Sequence, residues 1–212
     1  MEDNKTNQVG AYTHNLQFSV FPQGTRNHEG DAVLATRPFG SWSIRQVYDY
    51  IKSEQAKQAT ETLRSMLGSA TKSECSDYKK LNFRFVTFRG IFSSRKATAL
   101  TSLSPFIVID IDGLTSTEEA HQLSLQLPED KNVNTALSFI SPGGLGVKWV
   151  VEIPEWLEDC DYKEQYLGLC RHLVLQYGYE PDWGCSDVCR ACFLGHDDQC
   201  YINPKYFQNE NE

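Results

Sequence analysis

The sequence predicts an α+β fold. A β-α-β-β-α-β module of the split-βαβ, ferredoxin-like type occupies residues 105–206, and an α/β extension of helices and strands occupies residues 14–104. Three observations carry this prediction. The composition is that of an ordinary globular chain: 40% hydrophobic, 12% aromatic and 23% charged among 212 residues. The second half alternates short apolar runs with longer stretches rich in helix formers. Those runs fall in the order strand, helix, strand, strand, helix, strand.

Taken in order, residues 1–13 are polar and predicted to be disordered, as is the tail at 207–212. NLQFSVFP (15–22) reads as a strand ended by proline. The stretch 41–70 is helical, with Ile44, Val47, Tyr48 and Ile51 on one stripe and Gly68 as its stop. NFRFVTFRGIF (82–92) alternates as a strand, with Phe83 and Phe85 on one face and Arg84 on the other.

FIVIDI, which follows Pro105, begins the module as a strand. Residues 116–127 form a helix, capped by Ser116 or Thr117 and carrying glutamates in its first turn. TALSFI (135–140) is a strand, SPGGLG (141–146) a turn, and VKWVVEI (147–153) a strand. Residues 161–178 form a helix ended by Gly178, and RACFL (190–194) is the last strand. The expected spatial order is 4-1-3-2, with the first and third strands central.

Charge and composition narrow the function classes. No apolar run approaches the roughly 18 residues of a membrane span, and MEDNKTNQVG has no signal-peptide core. The expectation is a cytoplasmic chain with no membrane partner. Seven cysteines, an odd number, favour reduced thiols over a disulfide framework. The net charge of −8 argues against a general nucleic-acid coat. Residues 78–109, however, contain no acid and carry Lys79, Lys80, Arg84, Arg89, Arg95 and Lys96, a local +6 that leaves −14 for the rest. Such asymmetry builds a basic groove on an acidic body.

The chemistry lies in the second half. Asp110 and Asp112, two apart on one strand, point to the same face. Paired carboxylates suit a divalent cation, without which they repel and one pKa rises; a plain capped turn is the bland alternative. In SPGGLGVKW (141–149), Gly143, Gly144 and Gly146 let backbone N–H groups approach a phosphate, and Lys148 adds positive charge from the next strand. A simple hairpin turn explains the same glycines. The predicted topology decides, since it puts Lys148 on the strand beside the two aspartates. Asp182 precedes the last strand and completes a three-carboxylate set; Arg190 binds phosphate or pairs with an aspartate.

FIVIDIDGL, SPGGLGVK and PDWGCSDVCR, in this order and spacing, resemble the archaeo-eukaryotic primase (primase-polymerase) superfamily. They are most similar to the primase-like N-terminal domain of virulence-associated protein E type proteins from bacterial mobile elements. The upstream FRGIFSSRK resembles the lead-in of that branch, and the resemblance runs from about residue 80 to 204. It implies an RRM-like catalytic module and template-directed nucleotidyl transfer from nucleoside triphosphates on single-stranded DNA or RNA. It further implies Mg²⁺ or Mn²⁺ held by Asp110, Asp112 and Asp182. Ser141, Gly143, Gly144 and Lys148 match the nucleotide-phosphate motif, with lysine standing where the wider superfamily has histidine. The basic residues Arg84, Arg89, Arg95 and Lys96 are expected to contact nucleic acid. Helicase or ATPase modules often accompany such domains, and this chain has no Walker A motif, so a separate helicase or ATPase is an expected partner.

Three rivals compete. VIDIDGL is similar to the first motif of haloacid-dehalogenase phosphatases, but Leu114 replaces the expected threonine, and Lys148 follows Ser141 by only seven positions. A binding module without catalysis would use the basic segment with Phe83, Phe85, Phe88 and Phe92 to track single strands, although core packing is the simpler role for Phe83 and Phe85. Cys185, Cys189, Cys192 and Cys200, with His196 among them, have irregular spacing, so no structural zinc is expected.

Overall fold

Among the residues described by the computed structural model, 16–154 and 161–207, the strands pair antiparallel throughout and the class is α+β. The expected disorder at 1–13 and 208–212 lies outside the described residues. Phe207 is described: it closes a 3₁₀ turn, Pro204–Phe207, beneath the Arg45 guanidinium and against Tyr48.

The N-terminal part contributes β1 (Gln17–Phe21), a small hairpin of β2 (Thr25–Arg26) and β3 (Ala32–Val33), and β4 (Gly40–Ser43). Helices α1 (Ile44–Ile51), α2 (Glu54–Met66) and α3 (Lys72–Asn82) follow, then β5 (Phe85–Thr87), β6 (Gly90–Phe92) and β7 (Leu100–Leu103). The second part runs β8 (Phe106–Asp112), α4 (Thr117–Gln126), β9 (Thr135–Ile140), β10 (Gly146–Glu152), α5 (Tyr162–Tyr177), β11 (Cys192–Phe193) and β12 (Tyr201–Ile202).

From β8 to α5 each element lies within a residue of its predicted bounds. Ser116 caps α4 by accepting the Glu119 amide, and Gly178 ends α5 in the left-handed conformation at φ 72°. Two N-terminal expectations need correction, and one helix goes unpredicted. The helix expected over 41–70 is two helices, because the Ser53 hydroxyl accepts the Ala56 amide and starts α2. The strand expected over 82–92 is two strands hinged at Phe88 and Arg89; Gly90 makes this possible, since a Cβ there would sit 2.1 Å from the Ser102 carbonyl. Helix α3, polar and without a fully buried residue, has little hydrophobic periodicity; a capping box between Thr71 and Glu74 starts it.

The strands form two principal sheets, β11-β5-β1-β4 and β12-β9-β10-β8. The second keeps the expected neighbours of the first three module strands, but the fourth strand departs from the 4-1-3-2 order. RACFL forms β11 beside β5, pairing Cys192 with Val86 and Phe193 with Phe85. Among the described residues, the pairing at the outer edge of β8 is a single bridge between Pro181 and Ile111. Proline has no N–H to extend a ladder, and the chain leaves that edge for the other sheet.

Strand alternation then separates two cores. Ile107, Ile109 and Ile111 of β8, with Val147, Trp149 and Val151 of β10, pack against α4 and α5. Phe106 and Val108, with Val150, face the other way and pack with Phe18, Val20 and Val86 of the first sheet. Asp110, Asp112 and Lys148 continue this second face where the sheets part. The acids in the apolar run therefore stand at the end of an inter-sheet face, apolar at one end and polar at the other.

Candidate active site

Where the sheets part there is a cleft of about 600 Å³. Asp110, Asp112, Ser141, Gly143, Lys148, Asp182 and Arg190 line it on the module side. Phe193 of β11 and, from the N-terminal part, Leu34, Leu67, Lys79 and Arg95 also line it. Residues that lie up to 80 positions apart in the module thus converge on one concavity.

Register places the central pair. Lys148 on β10 lies directly across from Asp110 on β8, and its ammonium is ion-paired with Asp110 Oδ1. Both side chains are largely shielded, at 11% and 17% exposure. Burial acts to lower the Lys148 pKa, but Asp110, with help from Cys192 and Asp112, outweighs it and raises the value. Asp112 lies across from Gly146. A Cβ at Gly146 would meet the Ile111 carbonyl at 2.5 Å and Asp112 Oδ1 at 2.8 Å, so only glycine leaves room for this carboxylate. Burial pushes the Asp112 pKa up, and the charges of Asp110 and Asp182 add to the rise against Lys148 and Lys79.

Asp182 is held from several sides. Its amide donates to the Asp110 carbonyl at 2.8 Å, and its own carbonyl accepts the Tyr166 hydroxyl at 2.6 Å. Its carboxylate accepts the Cys185 thiol at 2.9 Å, the Gly184 amide at 2.9 Å and Arg190 Nη2 at 3.4 Å. The Cys185 bond leads in holding its pKa low, partial burial opposes it, and Gly184, Arg190 and Lys148 contribute. Tyr166 reaches Asp182 through the packing of α5, which no local pattern marks, whereas Cys185 reaches it within one local turn, its own amide donating to the Asp182 carbonyl at 3.0 Å.

The 141–146 turn is closed by Ser141 N–H to the Gly146 carbonyl at 2.8 Å and Gly144 N–H to the Ser141 carbonyl at 2.9 Å. Gly144, at φ 86°, is needed for the turn, yet its N–H is spent inside it and the residue backs onto Arg64 and Thr117 rather than the cleft. Ser141, Pro142, Gly143 and Leu145 are the turn residues that reach the cleft. Arg64 braces the turn from α2, its Nε donating to the Pro142 carbonyl at 3.3 Å; an isolated arginine in a helix gives no sequence signal of that role.

The basic segment separates. Arg95 reaches the cleft and Lys96 is exposed beside it. Arg89 is only 5% exposed, with its guanidinium 5.1 Å over the Tyr162 ring and a bond to the Ser104 carbonyl, which removes it from any surface groove. Arg84 lies away from the cleft among Phe39, Trp42 and Tyr50, at 5.2–5.6 Å from their ring centres. Phe83, Phe85, Phe88 and Phe92 are all core residues, so stacking of bases on them is excluded.

Among the described residues, no three His, Cys, Asp or Glu side chains are gathered closely enough to hold a metal ion as they stand. The chemistry of the cleft still fits a hard divalent cation. Three carboxylates line one cleft, and the charges of Asp110 and Asp182 contribute to the raised pKa of Asp112, a repulsion that such a cation would relieve. Cys185 serves Asp182, Cys189 donates to Asp187 at 3.3 Å, and Cys192 and Cys200 are packed in the inter-sheet core.

A family model described as BT4734-like, N-terminal domain, matches residues 77–202, more than half of the chain. No curated protein and no solved structure matches it. Among the described residues, no helix is long and apolar enough to cross a membrane.

Proposed function

The chain belongs to the family of BT4734-like N-terminal domains, and we propose that its cleft is a divalent-metal-dependent nucleotidyl-transfer site acting on single-stranded nucleic acid. The run from β8 to α5 is read as the RRM-like part of this module. One observation carries the proposal: three carboxylates, a lysine, an arginine and a glycine turn, distant in sequence, line a single cleft. Each residue type matches one need of phosphoryl transfer, and little else is required of a protein in that chemistry beyond positioning and charge.

In this reading Asp110, Asp112 and Asp182 would hold Mg²⁺ or Mn²⁺, and the ion would supply Lewis-acid activation of the attacking hydroxyl and charge stabilisation of the leaving pyrophosphate. Lys148 and Arg190 neutralise the triphosphate, and Ser141 with the Gly143 backbone borders it. Arg95, which lines the cleft, and the exposed Lys96 next to it in sequence guide the template strand by charge. A haloacid-dehalogenase-type phosphatase is disfavoured, since β8 is an edge strand of an antiparallel sheet rather than a member of a parallel one. The expected partners remain a single-stranded DNA or RNA template, nucleoside triphosphates and a separate helicase or ATPase, and the expected compartment is the cytoplasm.

Calorimetric titration of a nucleoside triphosphate with Mn²⁺ tests the site. Wild type is expected to bind, and Lys148→Ala to bind more weakly by about 1–3 kcal/mol, the scale of a charge-assisted hydrogen bond. Equal affinities would reduce the turn and its lysine to a hairpin.

A further inference from the structure

Lys148 has two demands on it. It is the cross-strand partner of Asp110 and is ion-paired with it, and it lines the cleft that a triphosphate would enter. The neighbouring cross-strand position, opposite Asp112, is Gly146, which has no side chain to offer. One ammonium therefore serves the acidic end of β8 from β10, and it occupies a carboxylate oxygen that a metal ion bridging Asp110 and Asp112 would need.

We propose that Lys148 is an exchangeable internal counter-cation. A divalent ion entering between the carboxylates displaces the ammonium from Asp110, and the freed side chain becomes available to an anion in the cleft. The proposal rests on the metal reading above and adds to it an order of events: cation first, then the phosphate-bearing ligand. Two physical facts support it. An ammonium and a divalent cation sharing one carboxylate repel strongly in a shielded site. Lysine carries its charge on a flexible stem, so it can leave Asp110 without moving β10. There is room for it to move, since Lys148 lines a cleft of about 600 Å³.

Competition gives a prediction of unusual sign: removing a cleft residue should strengthen metal binding. Mn²⁺ is titrated into the full chain without nucleotide, and free Mn²⁺ is read by electron paramagnetic resonance. Lys148→Met, which keeps length and loses charge, should bind Mn²⁺ roughly tenfold more tightly than wild type. Equal or weaker binding by a folded Lys148→Met, with wild type still binding, overturns the exchange and leaves the metal reading standing. No binding by either protein overturns both.

A second measurement needs no variant. Acylation of the Lys148 amine in wild type, read by peptide mass spectrometry, should be faster with saturating Mn²⁺ than without, because the ammonium has left its carboxylate. A rate that is unchanged or slower in Mn²⁺ also overturns the proposal.

Discussion

The amide of Asp182 donates to the carbonyl of Asp110 at 2.8 Å across the outer edge of β8. This bond stitches an acid from the loop after α5 to the acid-bearing strand, although the strand expected to bring it there pairs elsewhere. The Tyr166 hydroxyl on the Asp182 carbonyl and the Cys185 thiol on its carboxylate complete the anchorage.

The anchors should be separable. Cys185→Ala removes a donor to Asp182, whereas Cys185→Ser keeps one. Alanine is expected to weaken Mn²⁺ affinity several-fold, on the scale of one hydrogen bond, and serine to restore most of it. Identical Mn²⁺ titrations for both variants and wild type would show that the thiol merely fills space.

Template binding should depend on the rim. Reversing Arg95 and Lys96 to glutamate is expected to weaken binding of single-stranded DNA and to flatten its dependence on salt concentration, because phosphate neutralisation is lost. Arg89→Gln should act through stability instead, since that guanidinium is buried over Tyr162. Fluorescence anisotropy across a salt series distinguishes them; an unchanged salt slope in the double reversal would make Arg95 and Lys96 ordinary solvated residues.

Acid stability should carry the mark of Asp130. Its carboxylate contacts His172 Nε2 at 2.6 Å and accepts the Tyr177 hydroxyl at 3.0 Å, tying the turn after α4 to α5. Burial acts to raise its pKa, but the bonds from His172, the Asn132 amide and Tyr177 outweigh it and lower the value. A depressed folded-state value means that the unfolded chain takes up the proton first. The stabilisation is therefore fully present above the ordinary carboxylate range and is lost as pH falls through the depressed one. Thermal melts between about pH 2 and 6 should show a shallower acid decline for Asp130→Asn than for wild type. Parallel profiles would contradict the linkage.

Much of the module was legible in the sequence because its signals are local. Hydrophobic period, caps and turn glycines placed β8, α4, β9, β10 and α5. The two-residue spacing of Asp110 and Asp112, together with adjacent strands, also placed Lys148 near them. What escaped depends on long-range choices. Whether β11 joins β8 or β5 turns on Pro181 and on the vacant edge of the first sheet, which no local pattern records. Gly144 reads as part of a phosphate cradle, yet its amide is consumed in the turn. Arg89 reads as a surface cation, yet the hinge at Phe88 and Arg89 folds it inward. Helix α3 was invisible because a solvated helix held by caps and i, i+3 pairs such as Lys80 with Asp77 has little periodicity.

The most direct measurement of the central claim is nucleotide incorporation by the purified chain on primed and unprimed single-stranded templates with Mn²⁺. The account predicts metal-dependent extension by wild type and its loss in Asp110→Asn and Asp112→Asn, with both variants folded by circular dichroism. Extension undiminished in these variants, or template binding by wild type with no incorporation under any metal, would contradict it.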